Sequence, residues 1–205
     1  MHVYHFLKTH YGIEAIKDRR IKVSRISTLN DPFEYLQYQT DNYFVKRLLQ
    51  IRKSKINKKW GILCFSKNFS SPVQWAHYAD GHQGLCLGFD IPETHLMHVE
   101  YIKERASLKE FQKSLEFEEE EFLKHMLSKK YEHWAYEEEC RMLYRLETPN
   151  NGIFSFADFS TDMKLTEVIF GSRFHGDKKE IKSLLNKFEY PVKTFSIQPC
   201  KRELK

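Results

Sequence analysis

The stretch PVQWAHYADGHQGLCLGFD, residues 72–90, gathers Trp75, His77, Tyr78, Asp80 and His82 immediately before an apolar run. Aromatic rings stack on a planar ligand while phenol and imidazole groups hydrogen-bond to it, so this cluster suits recognition of a flat heterocycle. The same residues also suit a plainer role, with Trp75 and Tyr78 as core anchors and the histidines as caps. A second set, Glu137, Glu139 and Arg141, falls at alternate positions of YEEECRMLYRL (136–146). An arginine beside a carboxylate orients it and lowers its pKa. Three charges in line equally fit a solvated face, although Trp134 and Tyr136 just before them favour partial burial. A third set, Asn30, Asp31 and Glu34 in TLNDPFEYL, has the chemistry of a turn and helix cap: Asp31 caps, Pro32 opens the helix, and Glu34 favours its positive end. His77 and His82 stand five apart, where a zinc-binding helix needs four, and no third ligand accompanies them, so no metal is expected. The chain shows no phosphate loop, dinucleotide fingerprint, G-x-S-x-G or Cys-His nucleophile signature.

These side chains need elements to hold them. HVYHFL alternates as a first strand, GIEAIKDRR reads as a short helix and IKVSRIS as a second strand. A helix from residue 32 to about 54 follows, and then WGILCFS, whose continuous apolar run fits a buried strand. NFSSPVQW restarts a helix with Ser71 as N-cap and Pro72 in first position. If residues 72–80 are helical, Trp75, Tyr78, Ala79 and His82 share one face. Gly81 and Gly84 then supply the left-handed geometry that turns the chain into LCLGFD. Residues 107–130 predict one long amphipathic helix with Glu118 to Glu121 on its wet side. Residues 136–146 predict a strand, with Glu138 interrupting its apolar side; LTEVIFG predicts another strand, DKKEIKSLLNKF a late helix and PVKTFSI a last strand. The whole reads as one α+β domain over residues 1–205, without repeat or linker.

At 205 residues the chain is long enough for a sizeable core, and 16 Phe, 11 Tyr and 3 Trp place its aromatics mostly there. The four cysteines lie far apart with no C-x-x-C pair and no apolar leader opens the chain, so the expectation is a soluble cytoplasmic protein. No run approaches the roughly 18 apolar residues of a spanning helix, which argues against the membrane. Charge is uneven: residues 1–60 carry 13 Lys+Arg against 5 Asp+Glu, while 93–147 carry 9 against 14. KRLLQIRKSKINKKW (46–60) is the densest basic stretch, either a surface that tracks phosphates or the solvated face of a helix.

Taken in order, YHF near the start, SRISTLNDPFE, GILCFS, PVQWAHYADGHQGLCLGFD, HWAYEEECR and EVIFG resemble a widespread bacterial family known as domain-of-unknown-function family 2971. That resemblance implies no activity. A strand His, a later Tyr beside a core strand and a still later Glu on a strand are more distantly similar to the His-Tyr-Glu ADP-ribosyltransferases. This second resemblance implies a twisted, mainly antiparallel split sheet or half-barrel flanked by helices, with NAD as substrate. It makes His5 the ribose-contacting residue, Tyr78 the nicotinamide-stacking ring and Glu139 the catalytic carboxylate. Arg141, or Arg25 beside Ser24, would meet the pyrophosphate. Asn30, Ser66, Trp75, His77, His82 and Glu137 would complete the binding cleft. Ser66 stands in CFSKN rather than in the Ser-Thr-Ser pattern of the arginine-modifying branch, which leaves the acceptor open. The expected function is transfer of ADP-ribose to nucleic acid or protein, as a toxin or phage-defence component. A nucleic-acid-binding or nuclease-like module, in which Trp75, Tyr78 and Trp134 stack bases, and a non-catalytic nucleotide sensor are the alternatives.

Overall fold

Strand β1 (His2–Leu7), helix α1 (Thr9–Asp18) and strand β2 (Arg20–Arg25) open the chain in the order the hydrophobic alternation predicts. The computed structural model describes residues 1–31, 41–104, 108–114, 116–146 and 154–198, apart from the side chains of residues 108, 110 and 111. Helix α2 (Tyr43–Lys59) leads into β3 (Trp60–Ser66), α3 (Pro72–Tyr78) and β4 (Leu85–Asp90). The short β5 (Met97–His98) and β6 (Glu100–Ile102) precede α4 (Leu108–Ser114), α5 (Glu119–Leu127) and β7 (Lys129–Tyr131). The chain closes with β8 (Glu139–Arg145), β9 (Ser155–Asp158), β10 (Lys164–Phe170), α6 (Lys178–Leu185) and β11 (Lys193–Ser196). This is a mixed α+β structure built on one large, mainly antiparallel sheet in the order β11-β10-β4-β1-β3-β2-β9, with β8 pairing β3 and β5 pairing β8.

The sheet forks. β1 runs antiparallel to β4 over six registers, from His2 opposite Asp90 to Leu7 opposite Leu85. Against β3, however, it shares only the register Tyr4 opposite Ser66. β3 meanwhile pairs along its other edge with β8 from Trp60 opposite Arg145 to Ser66 opposite Glu139, and at its start with β2 through Ser24 and Arg25. Leu63, Cys64 and Phe65 therefore have no described strand partner on the β1 side, and a crevice opens where the two strands part.

Three apolar clusters fix this geometry. The largest packs Val3, Leu63, Phe65, Leu87, Phe89, Leu165 and Val168 with helices α1 and α6. The second joins α2 and α5 to the far face of β3 through Leu49, Ile56, Ile62, Phe122, Leu123, Met126 and Leu127. The third seats Trp75 of α3, and Ala79 just after it, on Cys86 and Ile169. Central strands covered on both faces read as continuous apolar runs, which is why WGILCFS and LCLGFD carry almost no alternation.

Several boundaries differ from the sequence expectation. α2 starts at Tyr43, its cap being Asn42, whose side-chain oxygen accepts from the N–H groups of Phe44 (2.9 Å) and Val45 (3.3 Å), and it runs on to Lys59. The proposed start at Pro32 and Glu34 lies outside the described residues. The single helix expected over 107–130 is two helices and a strand. Arg52 explains the break: its guanidinium donates to the carbonyls of Ser114 (3.1 Å) and Phe117 (2.8 Å), and it sits over the ring of Phe122 at 4.1 Å. Carbonyls satisfied from another helix need no continuation of their own. The strand expected over 136–146 begins only at Glu139. Residues Glu132–Glu137 form a 3₁₀ turn, and Glu138 takes a left-handed conformation at φ 44°. α3 fits the prediction at its start, with Ser71 Oγ accepting from Gln74 N–H at 3.4 Å. After it Asp80, Gly81 and His82 all have positive φ. Gly84 does not; a Cβ there would stand 2.2 Å from the carbonyl oxygen of Leu7, so close packing and not handedness requires glycine.

Candidate active site

The fork between β1 and β3 is a hollow of ≈ 120 Å³ walled by Tyr4, His5 and Phe6 of β1 and Cys64, Phe65 and Ser66 of β3. Gln74 and Tyr78 of α3 close one side, Leu29 and Asn30 another, and Lys130, Glu137, Glu139 and Arg141 form the polar floor.

His5 bridges the fork. Its Nδ1 lies 2.8 Å from the Cys64 carbonyl oxygen, a group with no described ladder partner on that side, so Nδ1 carries the proton and Nε2 is left as an acceptor. Burial pulls its pKa below the ordinary imidazole value, with the Cys64 carbonyl acting the other way. The neutral ring is thereby favoured.

The floor is a buried ionic chain. Lys130 Nζ donates to Glu137 Oε2 at 2.5 Å and to Glu139 Oε2 at 2.9 Å. Arg141 grips Glu139 with two nitrogens, Nε at 2.7 Å from Oε1 and Nη2 at 3.0 Å from Oε2, while its Nη1 donates to the Leu127 carbonyl at 2.8 Å. Two cations face two carboxylates, and all four side chains are at most 7% exposed. Each cation thus has the partner that burial demands. Glu137 also accepts from the Tyr78 hydroxyl at 2.5 Å, and that oxygen in turn accepts from Asn30 Nδ2 at 2.6 Å.

The two carboxylates titrate apart. Burial raises the pKa of Glu137 above the usual carboxylate range, against the pull of Lys130 and Tyr78. Burial acts the same way on Glu139, but Arg141 and Lys130 outweigh it and hold that carboxyl at about 2. Burial works to lower Lys130, and the two carboxylates prevail and raise it. Burial and the hydrogen bond to Glu137 push the Tyr78 phenol well up. Two carboxyls whose surroundings push their pKa values in opposite directions are a pattern that acid-base sites use. Glu139, with both oxygens engaged by cations, is the anchor for Lys130 and Arg141, whereas Glu137 meets Lys130 through one oxygen and the Tyr78 hydroxyl through the other.

Of the residues singled out from the sequence, His5, Asn30, Ser66, Tyr78, Glu137, Glu139 and Arg141 meet around this hollow. The geometry of the acidic set differs from expectation. Glu137 and Glu139 do not alternate along one strand, because left-handed Glu138 lies between a 3₁₀ turn and β8, and they converge from two elements through Lys130. Neither is on a solvated face. Ser66 serves the frame, its Oγ donating to the Glu137 carbonyl at 2.6 Å.

Trp75 lies outside the hollow as a core anchor, its indole N–H on the Phe69 carbonyl at 2.6 Å and its ring edge-on to Phe6. His82 and Trp75 border a different depression, beside Phe69 and Phe195. His77 is exposed, with Nδ1 3.1 Å from the Tyr136 hydroxyl. Ser24 and Arg25 are spent on the β2–β3 ladder, and the Arg25 guanidinium donates to the Asn57 carbonyl at 3.3 Å. The structure does not bring these five to the hollow. Sequence reasoning missed Lys130 and Gln74. Lys130 read as the tail of a long helix, and a lone lysine after SK offers no signal of burial; Gln74 was overshadowed by the rings around it. Among the described residues no group of three His, Cys, Asp or Glu is placed to hold a metal ion, and no helix is long and apolar enough to cross a membrane.

A model of the family described as protein of unknown function (DUF2971) matches residues 74–142, so the resemblance read from the motifs holds over that segment. The match spans Gln74, Tyr78, Lys130, Glu137, Glu139 and Arg141, that is, one side and the whole floor of the hollow. No curated protein and no solved structure matches the chain.

Proposed function

We propose that the hollow seats the flat ring of a nucleotide and that the protein transfers or releases the ribosyl group attached to it, with NAD as the substrate of first choice. One observation carries this reading: His5, Tyr78 and the Glu137 carboxyl, from three separate parts of the chain, wall the same small cavity. Its size supports a single ring. An engineered apolar cavity of about 150 Å³ takes a benzene molecule, and ≈ 120 Å³ leaves no room for a dinucleotide, whose ribose and phosphates would remain outside.

The chain's own groups fit that chemistry. Breaking the bond between a nicotinamide ring and its ribose builds positive, oxocarbenium-like charge, which a positioned carboxylate favours in the transition state. Glu137 takes this role in place of Glu139, because one of its oxygens meets only the Tyr78 hydroxyl while both oxygens of Glu139 are committed. Tyr78 holds the ring and the Glu137 carboxyl together, His5 Nε2 accepts from a ribose hydroxyl, and Lys130 keeps Glu137 aligned. The acceptor approaches over α2, which contains seven Lys or Arg and no acid and shows Tyr43 and Phe44 at 73% and 80% exposure. Exposed rings among cations suit single-stranded nucleic acid.

Incubating the protein with NAD labelled in the nicotinamide and, separately, in the adenylate tests this directly. Nicotinamide release, with or without label on an acceptor, is expected from the wild type, and Glu137→Gln should slow it by about 10²-fold or more. Absence of release, with cell extract and nucleic acid supplied as acceptors, would refute the reading.

A further inference from the structure

The carboxamide of Gln74 is oriented by what surrounds it. Its Nε2 lies 3.0 Å from the carbonyl oxygen of Tyr136, 3.3 Å from that of Glu137 and 3.1 Å from Ser66 Oγ. Backbone carbonyls only accept, so the NH₂ end of the amide must face them and the oxygen must lie on the other side. Gln74 is 2% exposed, and no described donor meets its Oε1. Oε1 keeps some accessible surface, and Gln74 is among the residues that line the hollow. An amide oxygen turned away from those acceptors, on a nearly buried residue that lines a ring-sized cavity, is an acceptor open to a donor on a bound ring.

We propose that Gln74 determines ring specificity: its Oε1 accepts a hydrogen bond from an N–H on the bound ring, so the hollow takes flat rings bearing a carboxamide or an amine and rejects those bearing a carboxylate. This rests on the ring-binding part of the reading above and names what the ring must carry. A carboxylate would set lone pairs against Gln74 Oε1, and the floor's cations, Lys130 and Arg141, are already paired with Glu137 and Glu139. A ring of the same shape without the N–H leaves a buried acceptor unpaired, a loss on the order of tenfold in affinity.

Three ligands of nearly equal size separate these cases: nicotinamide, 3-acetylpyridine, which replaces the amide NH₂ by a methyl group, and nicotinate. Calorimetric titration of the full chain is expected to show nicotinamide binding on the order of tenfold more tightly than either of the others. Gln74→Met, similar in length but without the oxygen, should reduce nicotinamide to the level of 3-acetylpyridine, with circular dichroism confirming the fold; the three-ligand comparison on the wild type stands even if that variant does not fold. Equal affinity for nicotinamide and 3-acetylpyridine, preference for nicotinate, or no binding of nicotinamide overturns the inference. NAD turnover is scored separately. Discrimination without NAD cleavage upholds the role of Gln74 and removes the transfer reaction, whereas cleavage without discrimination does the opposite.

Discussion

Lys130 and Arg141 each neutralise a buried carboxylate, and the consequences of removing either partner are unequal. Truncating one side of a buried ion pair leaves an uncompensated charge at a cost of about 3–5 kcal/mol. Lys130→Met is expected to destabilise by about that much in urea titration. Glu139→Gln should cost more than Glu137→Gln, because Glu139 is held by both Lys130 and Arg141 whereas Glu137 meets Lys130 alone among the cations. The pH dependence follows with sign. A carboxyl depressed to about 2 stabilises the fold fully above its unfolded pKa of about 4.3 and loses that contribution as the pH falls through about 2. Glu137, raised by burial, works in reverse: its contribution is present below the unfolded pKa and is lost as the pH rises through its folded value. Urea midpoints measured from pH 2 to 5 should fall towards acid in the wild type and fall less steeply in Glu139→Gln. A steeper fall in that variant would contradict the assignment.

At the scale of elements, the site depends on where strands and helices stop. α4 and α5 are separated by carbonyls that Arg52 satisfies, and α5 must end at Leu127 for β7 to carry Lys130 inward. Arg52→Ala removes two charge-assisted hydrogen bonds and is expected to cost about 2–3 kcal/mol, seen as a lower melting temperature. Gly84→Ala places a methyl group against the Leu7 carbonyl and the backbone of Ala79, so β1 or α3 must shift; a loss of about 1–3 kcal/mol is expected. A melting temperature unchanged in either variant would show that the contact contributes nothing. The sequence made much of this layer legible. Ser71 and Pro72 announced α3, unbroken apolar runs announced β3 and β4, Tyr78 was singled out by its type and its place before a core strand, and His5 by the resemblance to the His-Tyr-Glu transferases. The breaks at Ser114–Phe117 and Glu138 were not legible, because each is set by a partner distant in sequence: Arg52 in the first case, Asn68 and Lys67 in the second. A helical or alternating period carries no trace of such a partner. Lys130 was hidden for the same reason, its burial being decided by two glutamates beyond a turn.

For the whole molecule, the fork places a small hollow between two wings of one sheet, and α2 packs beside the segment that borders it: Asn57 Oδ1 accepts from the Ser27 N–H at 3.0 Å, and Leu29, which lines the cavity, packs on the cluster that contains Leu49 and Ile56. If α2 guides an anionic acceptor, replacing the exposed Lys46, Arg47, Lys55 and Lys58 by Gln should weaken binding of single-stranded RNA and flatten its salt dependence, while leaving nicotinamide release to water unchanged. Equal salt slopes for the two proteins would separate α2 from the acceptor. In the proposed reaction, Glu137, Tyr78 and His5 act on a ring-bearing ribosyl group in the fork. Its most direct measurement is the rate of nicotinamide release from NAD by the wild type and by Glu137→Gln at matched foldedness. The proposed reaction requires release by the wild type and a fall of about 10²-fold or more in the variant; equal rates, or none from either, would rule it out.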